Sequence, residues 1–109
     1  MKRDTIIINK NIIPYTFEIL LADELFNIRV DYNMTADLFT LTLIKGEETI
    51  CTEPIIYGQK LFKNLYQPNK FPAIDIIPLD ESGQENKITF DNLCETVLLI
   101  VDNDEIPIN

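Results

Sequence analysis

Three apolar faces follow one another between residues 15 and 43. Tyr15, Phe17, Ile19 and Leu21 alternate with Thr16 and Glu18, the period of a strand that turns one face to a core. Phe26, Ile28, Val30 and Tyr32 alternate with Asn27, Arg29, Asp31 and Asn33, the clearest period-two signal in the chain. Phe39, Leu41 and Leu43 then alternate with Thr40 and Thr42. The polar joints between these runs are too short for a crossover helix, so the three strands are predicted to form an antiparallel meander.

The rest of the chain reads as what covers that sheet. Lys45, Gly46, Glu47 and Glu48 predict a hairpin turn, with the glycine where a positive φ costs little. A fourth strand over 49–52 should return beside 39–44. Glu53 and Pro54 are expected to break the ladder there, because proline has no N–H to give it. An apolar run over 55–57 ends at Gly58. Leu61, Phe62, Leu65 and Tyr66 fit one helical turn or an irregular cover over the sheet edge, and residues 69–71 form a loop between Pro68 and Pro72. Residues 73–80 read as a further strand, which Pro78 confines to an edge or a bulge.

Asp80, Glu81, Ser82, Gly83 and Gln84 are the most turn-like stretch. Thr89, Asp91, Asn92 and Leu93 predict one short helical turn with Thr89 or Asp91 as its cap. Residues 97–101 are apolar on both faces, which places them centrally in a sheet covered on two sides. The predicted class is therefore all-β: a small antiparallel barrel or sandwich of six to seven short strands with at most one or two helical turns. Residues 14–105 form the single β domain, 106–109 a C-terminal tail, and 1–13 an N-terminal arm or edge strand.

That N-terminal segment carries Ile6, Ile7, Ile8, Ile12 and Ile13. A β-branched apolar segment at a terminus suits strand addition to a neighbour. These five isoleucines are the candidate partner-binding arm, with an edge strand of the same domain as the alternative. Deleting residues 1–13 separates the two: an arm leaves a folded domain that assembles poorly, whereas an edge strand takes the fold with it.

The length of 109 residues suits one domain with one core. No apolar run approaches the roughly 20 residues that span a bilayer, and the polar interruptions of the first dozen residues argue against a signal peptide. The net charge is −9, from 18 acidic and 9 basic residues. The basic residues are scattered singly, which argues against nucleic-acid binding, since that recruits clustered Lys and Arg. Cys51 and Cys94 are expected to be buried thiols. With no histidine and no CxxC, neither a metal nor another cofactor is expected.

Candidate chemistry is sparse. The commonest general base, histidine, is absent. The lone serine, Ser82, has no base nearby in sequence. Glu47 with Glu48, Asp80 with Glu81, and Asp102 with Asp104 and Glu105 could pair as acid and base, but all sit in turns, where solvated surface carboxylates are expected. The Asp102-Asn103-Asp104 run lacks the glycine and the bidentate glutamate of a calcium loop. Tyr15, Phe17, Phe26, Tyr32 and Phe39 fall on inward strand positions and read as core. No catalysis is predicted.

From residue 15 to residue 104 the order of features resembles the baseplate hub plug proteins of contractile-tailed phages, the cyanophage-type baseplate plugs among them. The resemblance is carried by Phe17-Glu18-Ile19-Leu20-Leu21, by Asn27-Ile28-Arg29-Val30-Asp31-Tyr32-Asn33 and by Leu38-Phe39-Thr40-Leu41-Thr42-Leu43. It continues through Pro54-Ile55-Ile56-Tyr57-Gly58, Ile76-Ile77-Pro78-Leu79-Asp80, Thr89-Phe90-Asp91-Asn92-Leu93 and Val97-Leu98-Leu99-Ile100-Val101. The first dozen residues fall outside the pattern. Family members often carry Trp near the second and third strands, where Tyr32 and Phe39 here fill similar volume. The resemblance implies a structural protein at the tail tip that plugs the central hub, with no active site. It implies tail hub, tube or baseplate proteins as partners, and leaves self-association in the assembly open. It also implies synthesis in the host bacterial cytoplasm and a final place in the virion. Two rival readings are a free-standing acidic β module that inhibits a basic protein, and a hydrolase using Asp or Glu.

Overall fold

In the computed structural model, which describes residues 4–21, 23–62 and 75–102, strand follows strand with one short 3-10 turn, Lys10–Ile12, capped by Asn9. The strands are β1 (Asp4–Ile6), β2 (Tyr15–Leu21), β3 (Glu24–Asn33), β4 (Leu38–Lys45), β5 (Glu48–Pro54), β6 (Asp75–Leu79) and β7 (Leu98–Asp102). They build a four-stranded sheet in the order β2-β3-β4-β5 and a three-stranded sheet in the order β1-β7-β6. Every pairing between these strands is antiparallel. The two sheets do not close into a barrel, so the fold is an open sandwich.

The predicted antiparallel meander forms. Ile28 lies opposite Phe17 on one side and Leu43 on the other, and Val30 lies between Tyr15 and Leu41. Because strand side chains alternate between faces, these pairs stack one apolar face, and Phe26, Ile28, Val30, Phe39, Leu41 and Leu43 are fully buried. The β3–β4 turn is held by Asn33, whose Oδ1 accepts the N–H groups of Thr35 and Ala36. The β4–β5 hairpin closes between Lys45 and Glu48 around Gly46 at φ +64°.

β5 runs longer than predicted and includes Pro54, which pairs with Thr40. β5 is the outer strand of its sheet, so a residue without an N–H is tolerated at its end. A bulge between the Leu43 and Ile44 positions brings Ile50 and Cys51, neighbours in sequence, both half out of solvent.

In the small sheet β7 is central, as its two apolar faces predict: Leu99 and Ile100, on opposite faces, are both buried. Pro78 lies on β6, an edge strand. Both sheets feed one cluster, in which Ile6, Ile76 and Leu99 join the buried residues of β3 and β4 together with Ile8, Ile55, Leu61, Phe62 and Leu93. Burying side chains of this size stabilises by about 1.5–3 kcal/mol each. Both cysteines are free and half-buried. Burial, followed by Glu53, pushes the Cys51 thiol up to about 11; burial likewise raises Cys94. Leu65, Tyr66 and the proline-flanked loop lie outside the described residues. Among the described residues no helix is long and apolar enough to cross a membrane.

Two turns order the chain between β6 and β7. Over 89–93 the chain forms a hydrogen-bonded turn rather than the predicted helical one: Thr89 Oγ1 accepts the Asn92 N–H, while Asn92 Oδ1 accepts the Thr89 N–H. Asp80 departs from expectation. It is only 7% exposed, and its carboxylate is the centre of the turn rather than a solvated surface group. Oδ1 accepts from the Ser82 hydroxyl at 2.6 Å and the Ser82 N–H at 2.9 Å. Oδ2 accepts the N–H groups of Gln84 at 3.0 Å and Glu85 at 2.9 Å.

The Ser82 hydroxyl bond, with the backbone N–H bonds, holds the Asp80 carboxyl below its ordinary value against the opposing effect of burial. A carboxylate depressed in the folded state stabilises above its unfolded pKa, and that contribution is lost as pH falls through the folded value. Asp80→Asn should therefore lower the melting temperature at pH 7. The gap from the parent should narrow as pH is lowered below the ordinary aspartate range; a gap constant with pH would show that the charge is irrelevant.

Candidate functional site

The five isoleucines of the N-terminal segment do not share one surface. β1 pairs with β7 of the same chain, Thr5 opposite Ile100 and Ile6 opposite Leu99. Ile6 and Ile8 are buried in the common core, and Ile13 packs against it half-buried. Ile7, 76% exposed, and Ile12, 53% exposed, face outward. Polar contacts pin the segment down. Cys94 Sγ accepts the Ile8 N–H at 3.3 Å, the Tyr15 hydroxyl accepts the Asn9 N–H at 2.8 Å, and the Lys10 ammonium donates to the Phe90 carbonyl at 2.7 Å.

Beside this segment lies a shallow cavity of about 360 Å³, lined by Ile13, Pro14, Tyr32, Met34 and Phe90 together with the charged Lys10 and Asp31. Three rings support it. Tyr32 lies 4.7 Å from Phe39 and 4.9 Å from Phe90, centroid to centroid, and Phe90 stacks on Phe39 at 5.8 Å. Offset and edge-on ring pairs of this kind add roughly 0.5–1.5 kcal/mol beyond area burial. The Asp37 carboxylate fixes the arrangement, accepting the Tyr32 hydroxyl at 2.6 Å and the Phe90 N–H at 2.9 Å. The bond to Asp37, with lesser help from burial, pushes the Tyr32 phenol up to about 12, so at neutral pH it is a donor.

The charges around the cavity are already engaged. Asp31 pairs with Arg29 at 3.0 Å, and Lys10 is spent on backbone carbonyls with its ammonium 5.3 Å from the Phe90 ring centre. What remains turned outward is apolar, above all Met34 at 76% exposure. Such a surface suits contact with another protein better than bond-making chemistry. The candidate acids are dispersed: Glu47 and Glu48 lie at the β4–β5 hairpin and Asp80 is bound within its own turn. Ser82 donates its hydroxyl to Asp80. Asp104 and Glu105 lie outside the described residues. Among the described residues no three acidic or thiol groups gather closely enough to hold a metal ion.

The sequence reading missed this cavity because Phe90 comes from a turn 53 positions beyond Asp37. No short-range pattern joins the two.

The family model described as "Cyanophage baseplate Pam3 plug gp18" matches residues 3–105. The chain belongs to this family. The family is, by that description, one of cyanophage baseplate plugs, and it is the family that the order of strands and turns resembles. The match begins at residue 3 and takes in β1, which corrects the expectation that the first dozen residues fall outside the plug pattern. No curated protein and no solved structure matches the chain.

Proposed function

We propose that this protein plugs the central hub of a phage, prophage or phage-like tail baseplate at the tail tip, acting through protein–protein contacts and without catalysis. The observation that carries the reading is the plug-family match along nearly the whole fold. The apolar patch around Met34 and Phe90, and the outward Ile7 and Ile12, supply surface for neighbouring hub, tube or baseplate proteins. On this reading the chain is made in the host bacterial cytoplasm and ends in the virion. The rival reading, an acidic inhibitor that mimics a charged surface, fits less well. Asp31 is paired with Arg29, Glu24 with Lys45 and Asp75 with Lys60, so several carboxylates are already neutralised by their own chain.

Mass spectrometry of purified particles, followed by imaging of the baseplate, tests this. The protein should be present and lie on the tail axis at the tip. Its absence from particles, or a place on the baseplate periphery, would overturn the proposal.

A further inference from the structure

A sheet that ends in solvent offers unpaired N–H and C=O groups to any extended chain, and proteins blunt such edges with short strands, Lys, Pro or bulges. Three of the four edges here are blunted. β1 has three residues. β5 carries the bulge near Ile50 and ends in Pro54. β6 carries Pro78, and its outer carbonyls at Ile76 and Pro78 already accept the N–H groups of Leu61 and Gly58.

β2 lacks these devices, and its one charged side chain is the exposed Glu18. The strand runs for seven residues in unbroken register with β3, with no Pro, Lys or bulge. Among the described residues no backbone group pairs with its outer edge. Its inward side chains Tyr15, Phe17 and Ile19 are only half-buried, unlike Phe26, Ile28 and Val30 one strand further in. Leu21, at the end of the same face, is buried, so among the described residues the apolar inner face of β2 is covered fully at one end and only partly along the rest of the edge.

We propose that β2 is a docking edge that accepts an extended segment of another protein as a fifth strand of this sheet. The inference rests on the plug reading for where such a partner is found. The outer face of β2 specifies the partner's chemistry. Glu18 is exposed and makes no ion pair among the described residues. No basic residue occurs between Lys10 and Arg29. Leu20 is 68% exposed and lies opposite Leu25, itself exposed. The complementary strand carries Lys or Arg opposite Glu18, an apolar residue opposite Leu20, and apolar side chains on its inward positions.

A second copy of this chain fits poorly. Glu18 is the middle residue of β2, so antiparallel pairing of two β2 strands about their centres sets Glu18 against Glu18. Like charges directly opposite on a sheet repel.

The test uses two blocked, valine-rich seven-residue peptides, one with lysine at its centre and one with glutamate, titrated into the whole protein at low salt. Amide hydrogen exchange and NMR shifts provide the readout. The lysine peptide should protect β2 amides and bind about fivefold more tightly than the glutamate peptide, with the preference shrinking at high salt. Glu18→Lys, an exposed change that leaves the core alone, should invert the preference.

Protection on any strand other than β2, no protection at all, or an unchanged preference in Glu18→Lys would overturn the proposal. So would a dimer joined through β2 in sedimentation. The docking edge and the plug reading fail separately. A protein present on the tail axis whose β2 ignores both peptides removes the edge alone. Selective binding at β2 by a protein missing from particles removes the plug reading alone.

Discussion

Leu99→Asp is expected to abolish the folded domain. Leu99 is fully buried on β7, between Ile6 of β1 and Pro78 of β6. It belongs to the cluster that both sheets share. Among the described residues, a carboxylate at that point would sit within the buried apolar cluster. Burying an unpaired charge costs several kcal/mol even after the protein relaxes. A domain of this kind has only about 5–15 kcal/mol of total stability. The variant should give no cooperative thermal transition by circular dichroism and should accumulate as insoluble protein. Ile7→Asp, at an exposed neighbour of β1, is the control and should shift stability by no more than about 0.5 kcal/mol. An unchanged melting temperature for Leu99→Asp would mean that β7 is not the centre of the small sheet.

Removing residues 1–13 should be nearly as damaging. The segment contributes Ile6 and Ile8 to the core, both less than 5% exposed, which at about 1.5–3 kcal/mol per side chain amounts to about 3–6 kcal/mol. The deletion also strips β1 from β7, leaving the central strand of the small sheet as a bare edge. The expected result is a melting temperature lowered by at least about 12 °C, since about 1 kcal/mol shifts a domain of this size by roughly 4–8 °C. Ile12→Ser, at an outward position in the same segment, should leave the melting temperature close to the parent's. A shortened chain that melts like the parent would show that β1 is an accessory to the fold rather than part of it.

These outcomes depend on features that differ in how plainly the residues announce them. The four-stranded sheet could be read almost residue by residue. Its strands are neighbours in sequence, its turns are short, and the alternation of Phe26, Ile28, Val30 and Phe39, Leu41, Leu43 leaves no other face for a core. β7 was legible for a different reason: a run that is apolar on both faces has few places to go but the middle of a sheet.

The role of the first dozen residues was not legible. Three residues are too few to show a period, and the strand they pair with lies at the other end of the chain. Asp80 looked like any turn carboxylate, because what hides it is the loop that folds back to bond it. The Tyr32, Phe39 and Phe90 cluster is likewise a product of tertiary packing. Pro54 does not break its ladder as its residue type suggests, since the cost of a proline depends on whether its strand has a neighbour on both sides.

The pairing of β1 with β7 has a consequence for synthesis. The meander can form its own hydrogen bonds as soon as β5 has left the ribosome, because each of its strands pairs with one made moments before. The small sheet cannot. Asp4 faces Val101, so β1 must wait, along with Ile6 and Ile8, until β7 emerges. Throughout that interval the Phe26 and Phe39 face has no second sheet above it, and the nascent protein carries its greatest risk of sticking to others. A chain stalled before β7 would be a client for chaperones, however complete its first sheet.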